Sequence, residues 1–222
     1  MAEGLVASGL ALSAPDGRGI LRDASLEIPA GGRAWIEGPP GSGKRALLKV
    51  IAGLLRPERG EVLLSGIRLW PGEGALVLRG KLRTGFAFAQ GGLLSNQTLR
   101  DNLALPLRFA GRSVGEVGGV LDRLGLAEMA DLRPHALGAR ARRLAQLARI
   151  ELLQPEAVFL SEPFEDLEGP DLAMAEALIQ GWAADPARLI VAAAETADAR
   201  VLPGAQRLRL EAGRIQPIEG AP

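Results

Sequence analysis

Gly38-Pro39-Pro40-Gly41-Ser42-Gly43-Lys44 follows a short strand-like run, Arg33-Ala34-Trp35-Ile36-Glu37. It precedes a stretch in which Leu47, Leu48, Ile51, Leu54 and Leu55 repeat with a helical period. Strand, glycine-rich loop and helix, in that order, is the context in which G-x-x-x-x-G-K reads as a phosphate-binding loop rather than as a plain turn. Glycines let successive backbone N–H groups turn inward and form an anion cradle, and the helix start adds the positive end of its dipole. Lys44, placed to reach the β- and γ-phosphates of a nucleotide, is one of three lysines, with Lys49 and Lys81, in a chain whose other basic residues are arginine. The candidate nucleotide-binding residues are Gly38, Pro39, Gly41, Ser42, Gly43, Lys44 and Arg45. Arg45 departs from the motif, which asks for Ser or Thr to place a hydroxyl on Mg²⁺. A guanidinium has no acceptor for a cation, and its charge opposes one.

Outward from this loop, strand-like and helix-like stretches alternate, which predicts an α/β fold with a parallel sheet. Early strands are expected over 5–12 and 24–28, with Pro15-Asp16-Gly17 as the turn between them. The helix after the loop is expected over 45–55, stopped by Arg56-Pro57. Strands follow over 61–64 and 84–89, then a mainly helical block over 98–153 whose clearest helices are 114–124 and 140–153. A buried strand over 157–160, a helix over 172–182 and a strand over 189–193 lead to a hairpin of 206–210 and 214–218 around Glu211-Ala212-Gly213. The helical block is thus set between two halves of an α/β core, about 1–94 and 156–222, with the insert at about 95–155, in one domain of 222 residues.

Bulk properties narrow the function. A formal net charge of zero gives no reason to expect nucleic acid as a partner. The absence of cysteine excludes disulfides, thiol catalysis and cysteine–zinc sites. The first residues lack the basic start and apolar stretch of a signal peptide. No window reaches the roughly 18 uninterrupted apolar residues of a membrane span, so a membrane role is expected to come through a partner and not by direct insertion.

Several further stretches resemble the ATP-binding subunits of ABC transporters, nearly from end to end. Ile20-Leu21-Arg22-Asp23-Ala24-Ser25-Leu26 is similar to the family's strand before the phosphate loop. Leu47-Leu48-Lys49-Val50-Ile51-Ala52-Gly53-Leu54-Leu55-Arg56-Pro57 with Gly60-Glu61-Val62 is similar to the helix and strand after it. Phe88-Ala89-Gln90 stands where the family has its Q-loop glutamine, Leu147-Ala148-Arg149 matches the signature helix, and Val158-Phe159-Leu160-Ser161-Glu162-Pro163-Phe164 matches the Walker B strand. The stretch from Gly85-Phe86-Ala87-Phe88 to Asp101-Asn102-Leu103-Ala104-Leu105-Pro106-Leu107 resembles the Mla/Mce-type subgroup, which moves phospholipid or other hydrophobic molecules across the bacterial envelope. The resemblance implies a P-loop NTPase (RecA-like) core with an N-terminal antiparallel β subdomain and an inserted helical subdomain. It implies ATP as ligand, a transmembrane permease as partner, and a dimer with itself or with a paralogous cassette. The expected location is cytoplasmic, peripheral to the inner membrane through that permease. By the same resemblance Gln90 would couple the nucleotide site to the permease, Glu162 would polarise the attacking water, and Leu137-Gly138-Ala139-Arg140 would face the nucleotide of the partner subunit.

Departures from the family pattern fall at the positions of the chemistry. The Walker B aspartate is Ser161 and the hydroxyl after Lys44 is Arg45, so both protein supports for Mg²⁺ are missing and no metal ligand is assigned. In the signature, Gly138 replaces serine, and Ala139 and Arg140 replace glycines; this reads first as simple loss of the signature, and otherwise the longer side chain blocks close approach or Arg140 binds phosphate itself. Ala193 or Ala194 stands where the switch histidine is expected, and the one histidine, His135, reads as a surface residue. Ser13 and Ala14 replace the adenine-stacking aromatic, and Glu165-Asp166-Leu167-Glu168 reads as a solvated loop or dimer contact. Two functions remain: an active ATPase that powers a permease, or a non-hydrolysing cassette with a structural or regulatory role. In the second, Arg45 replaces the charge of Mg²⁺ and allows metal-free nucleotide binding. A P-loop nucleotide kinase or GTPase shares the loop but not the signature-like helix followed by Glu162-Pro163.

Overall fold

A computed structural model describes residues 4–196 and 201–218. Among the described residues, ten strands form two sheets. The first is a four-stranded antiparallel sheet in the order β2-β1-β4-β5, built from β1 (Leu5–Ser13), β2 (Gly19–Ile28), β4 (Arg59–Leu64) and β5 (Ile67–Trp70). The second has six strands in the order β10-β9-β3-β8-β7-β6, where β3 is Arg33–Glu37, β6 Thr84–Ala87, β7 Ala157–Ser161, β8 Leu189–Ala194, β9 Gln206–Glu211 and β10 Arg214–Pro217. In this sheet β9, β3, β8, β7 and β6 run parallel, and β10 closes the edge antiparallel to β9. This is the P-loop NTPase fold with its antiparallel β subdomain and inserted helices.

Alternation along the parallel strands sorts side chains into two cores, because successive residues of a strand face opposite sides. Ala34, Ile36, Phe159, Val191 and Ala193 face a core shared with the antiparallel sheet and with helix α1 (Lys44–Ile51), which is held between the two sheets by Leu47, Leu48, Val50 and Ile51. Trp35, Val158, Leu160, Ile190 and Ala192 face the other core, made by α2 (Leu99–Phe109), α3 (Val117–Arg123), α4 (Ala139–Leu153) and α5 (Gly169–Ala183). Helices α2 to α4 lie between β6 and β7 in the chain. None of the helices among the described residues is long and apolar enough to cross a membrane.

The differences from the sequence reading have local causes. Helix α1 stops at Ile51 rather than at 55, because Ala52 caps it and Gly53 takes φ +74°, a left-handed conformation that glycine adopts at little expense. Any Cβ at Gly53 would also lie 2.5 Å from the Ala75 nitrogen. Strand β2 begins at Gly19, not at 24, because it pairs along the whole of β1. Strand β6 stops at Ala87, not at 89, because the N–H and carbonyl of Phe88 pair with the Gln146 side chain and not with β7. Helix α3 spans 117–123 and not 114–124. Strand β5 and helix α2 were not picked out by periodicity. Pro106 lies inside α2, and Thr98 caps the start of the helix, accepting from the Asp101 N–H at 3.1 Å. The terminal hairpin turns on Ala212 and Gly213, both with positive φ, and the Gly213 carbonyl accepts from the Arg22 N–H at 2.8 Å, tying the hairpin to β2.

Candidate nucleotide site

Strand β8 lies between β3 and β7, so the loops after all three strands converge at the C-terminal edge of the sheet. Strand β3 ends on Glu37, 5% exposed, whose carboxylate accepts from Arg207 Nε at 2.8 Å. The phosphate loop then turns over this edge. Gly43 has φ +101°, and a Cβ there would meet the Ile20 carbonyl oxygen at 3.0 Å; a Cβ on Gly38 would lie 2.4 Å from that of Leu210. Glycine is required at both positions by close backbone approach.

A cavity of about 320 Å³ opens over this loop, walled by residues 40–46 together with Arg18, Ile20, Glu162 and Glu195. The Lys44 ammonium folds back onto the loop, donating to the carbonyls of Gly38 at 2.6 Å and Pro39 at 3.0 Å, and lies 4.0 Å from the Glu162 carboxylate. The Ser42 hydroxyl is buried without a hydrogen-bond partner. A buried hydroxyl left unpaired beside a lysine fits a phosphate oxygen, which would satisfy it. Burial is the main influence on Lys44 and lowers its pKa, Glu162 and Glu195 raise it, and Arg45 lowers it again.

Glu162 follows β7 in a left-handed conformation, φ +48°, held there by its N–H, which donates to the Ala193 carbonyl at 2.8 Å. Burial pushes its carboxyl pKa up, Lys44 and Arg45 pull it down, and Glu165 and Glu195 push it up. A carboxyl whose folded pKa exceeds its unfolded value holds its proton more firmly in the native state. Its contribution to stability is therefore full at low pH and is lost as pH rises from the ordinary value, near 4.5, through the folded one. Glu162→Gln is accordingly expected to melt higher than the parent at about pH 7.5 and no differently at about pH 4. Thermal melts at both pH values check this; a lower melting temperature at the higher pH would mean that pairing with Lys44 outweighs burial.

A magnesium ion fits this site poorly. Ser161 is buried at the end of β7, and Arg45 projects from the start of α1. Among the described residues, no group of three or more histidine, aspartate or glutamate side chains is placed to hold a metal. Arg45 Nη2 lies 4.0 Å from Glu165 Oε1.

The other sequence candidates lie apart from this cavity. Gln90 is exposed and lines a neighbouring cleft with Ala139, Arg142, Arg143 and Gln146. Leu137 is buried in the helical core, while Gly138 and Ala139 are exposed at the start of α4. Arg140 is bound within the chain: its Nη2 donates to Asp171 at 2.7 Å and its Nε to the other carboxylate oxygen. That pairing raises the Arg140 pKa and lowers that of Asp171, and it leaves Arg140 poorly available for phosphate. His135 is exposed in a short turn. Ala194 ends β8, and residues 197–200 lie outside the described part of the chain.

Arg143, Arg18 and Glu195 were not singled out in the sequence, and the fold brings each to the site region. Arg143 is 2% exposed in α4. It donates to the carbonyls of Phe88 at 2.7 Å, Ala89 at 2.8 Å and Glu165 at 3.3 Å, to that of Ser161 at 3.4 Å, and to the Glu165 carboxylate at 3.1 Å. Gln146, one turn on, pairs with both the N–H and the carbonyl of Phe88, and Arg149 donates to the carbonyls of Gly92 and Phe86. Three side chains at i, i+3 and i+6 thus strap the segment carrying Gln90 to α4. The spacing is visible in the sequence, but its target is not.

The family model for ABC transporters matches residues 21–165. The chain is 32% identical over 154 residues to the probable ribonucleotide transport ATP-binding protein mkl of Mycobacterium leprae, covering 67% of this chain and 44% of that protein. It is 34% identical over 154 residues to the methionine import ATP-binding protein MetN 1 of Rhodococcus jostii, covering 67% of this chain and 45% of that one. The chain therefore spans less than half the length of these relatives. Its fold is similar to that of the ATP-binding cassette MJ0796, solved as a dimer bound to ADP and Pi, with a TM-score of 0.84 at 21% identity over 98% of this chain and 100% of that one. With the family pattern covering the phosphate loop, the signature helix and β7 together, the chain belongs to the ABC transporter family, as an ATP-binding cassette.

Proposed function

We propose that this chain is a degenerate cassette of a membrane transport complex, one that binds nucleotide weakly or without hydrolysis and serves its permease as a structural or regulatory partner. One observation carries the reading: an anion cradle with a buried lysine stands beside a β7 end that offers Ser161 in place of a carboxylate. Without a metal, several kcal/mol of transition-state charge stabilisation are missing, which lowers the rate by orders of magnitude. Residues 1–222 are taken as one nucleotide-binding domain, dimeric with itself or with a paralogue.

An apolar groove of about 270 Å³ supports the permease contact. Its walls include Leu54, Phe86, Phe88, Pro106 and Leu153, and Leu54 is 47% exposed. Phe88 is two residues from Gln90, so a helix seated in the groove would press on the segment that α4 straps down. The names of the relatives, ribonucleotide transport and methionine import, support a transport role. The Mla/Mce-like stretch from Gly85 to Leu107 supports a lipid or other hydrophobic cargo.

The active-ATPase reading draws on Glu162, which faces Lys44 across the cavity with its carboxyl pKa raised, the direction a general base needs. Steady-state phosphate release from ATP decides between the two. The expected result is a rate indistinguishable from a protein-free control; turnover of about 1 s⁻¹ or more, an ordinary enzyme rate, would establish the active ATPase.

A further inference from the structure

We infer that this site takes nucleotide polyphosphate without a divalent metal, with the Arg45 guanidinium standing where the metal would bridge α1 and the end of β7. The inference rests on the nucleotide-binding reading above. A metal in a phosphate-loop site is held from two directions, by a hydroxyl at the start of the helix and by a carboxylate at the end of the neighbouring strand. Here a side chain spans that same gap. Arg45 leaves the start of α1 and reaches to 4.0 Å from one oxygen of Glu165, in the loop after β7.

The other oxygen of Glu165 accepts from Arg143 at 3.1 Å, so one carboxylate is bracketed by two guanidinium groups. Arg143 cannot leave: it is buried and anchored to four carbonyls, including that of Ser161. The acidic loop after β7 is therefore neutralised from beneath by a cation covalently part of the chain. A divalent ion would have to enter beside Lys44, Arg45 and Arg143, adding positive charge to a set that already repels itself. Burial is the main influence lowering the pKa of Lys44 and of Arg143, and the nearby Arg45 charge lowers each further. A polyphosphate relieves it.

Arg45 is also free to change partner. Its side chain is 53% exposed and Glu165 is 40% exposed, and a loose exposed pair holds weakly. A positive side chain in the first turn of a helix opposes the helix dipole, whereas an anion bound there is favoured by it. Turned toward the cradle, the guanidinium offers two parallel N–H donors to phosphate oxygens, in a geometry no hydrated metal shares.

Calorimetric titration of ATP into the full chain, once in excess Mg²⁺ and once in EDTA, tests this, with Arg45→Ser as the companion variant. For the parent, dissociation constants within about threefold of one another in the two buffers are expected. Arg45→Ser, a change at an exposed position, is expected to lose about tenfold in EDTA and to recover on adding Mg²⁺, because the new hydroxyl offers the metal a ligand. Parent binding that weakens more than about tenfold in EDTA, or an Arg45→Ser variant that binds as the parent does in EDTA, overturns the inference and leaves nucleotide binding intact. No heat from the parent in either buffer removes the nucleotide-binding reading itself, and the inference with it.

Discussion

Replacing Arg143 with methionine is expected to lower the melting temperature by about 9 °C, because a domain of this size shifts about 3 °C per kcal/mol and the change costs about 3 kcal/mol. Methionine matches the length of the aliphatic stem, so packing changes little. What goes is the set of donors to Phe88, Ala89, Ser161 and Glu165. Carbonyls left unpaired in a buried place lose about 1–3 kcal/mol each. Two factors reduce the total. Gln146 still donates to the Phe88 carbonyl, and the Glu165 carboxylate, 40% exposed, can return to water. Burial also works against the arginine itself, lowering its pKa against the pull of Glu165, Asp166 and Glu162. Arg143→Lys keeps the charge but not the planar fork, and is expected to recover less than half of the loss. Circular-dichroism melts of the three proteins check this; a shift under about 2 °C for the methionine variant would mean that water replaces the guanidinium at little expense.

Lys44→Met is expected to weaken ATP binding about 100-fold, since two charge-assisted hydrogen bonds contribute about 3 kcal/mol together and 1.4 kcal/mol is a factor of ten. The folded structure shows why the lysine is the residue to remove. Its ammonium is 5% exposed on the side chain and already sits at the base of the cradle, within hydrogen-bond reach of two loop carbonyls. Among the described residues that line the cavity, Lys44 is the one buried cation for an entering phosphate to meet. Loss of fold can be separated from loss of binding. The Lys44 pKa is lowered in the folded state, so the stability penalty it carries is full below that folded pKa and disappears as pH rises toward the ordinary value of 10.5. Near neutral pH the methionine variant escapes this penalty while losing the bonds to Gly38 and Pro39. The two effects oppose each other, and its melting temperature is expected to stay near that of the parent. Equilibrium titration with a melt on the same sample checks both; affinity unchanged from the parent would remove Lys44 from the site.

Much of the fold was legible because its signals are local. A strand, a glycine-rich loop and a helix stand next to one another around 33–51, and their order states the phosphate loop without help from the rest of the chain. The inward-facing residues of β7 and β8 read as continuous apolar runs, as strands buried on both faces do. Strand β5 was not legible, because four residues beside a turn carry too few positions to show a period. Apolar residues continue past the end of α1, so periodicity overruns it, although Gly53, left-handed and closely approached by residues 74 and 75, turns the chain there.

The candidate site divides in the same way. The sequence by itself determined that a lysine closes a glycine-rich loop, that serine precedes Glu162, and that arginine follows the lysine; these are identities, and identity needs no coordinates. Only the tertiary structure decided what those residues touch. Glu162, Glu165 and Glu195 face residues 44 and 45 because β8 lies between β3 and β7, a strand order set by long-range pairing that no local pattern encodes. Arg140, a phosphate candidate in the sequence, is brought beside Asp171 by the packing of α5 against α4 and pairs with it at the surface. Arg143, one arginine among many in the sequence, became a buried anchor because the packing of α4 encloses its side chain, where its donors find carbonyls and a carboxylate.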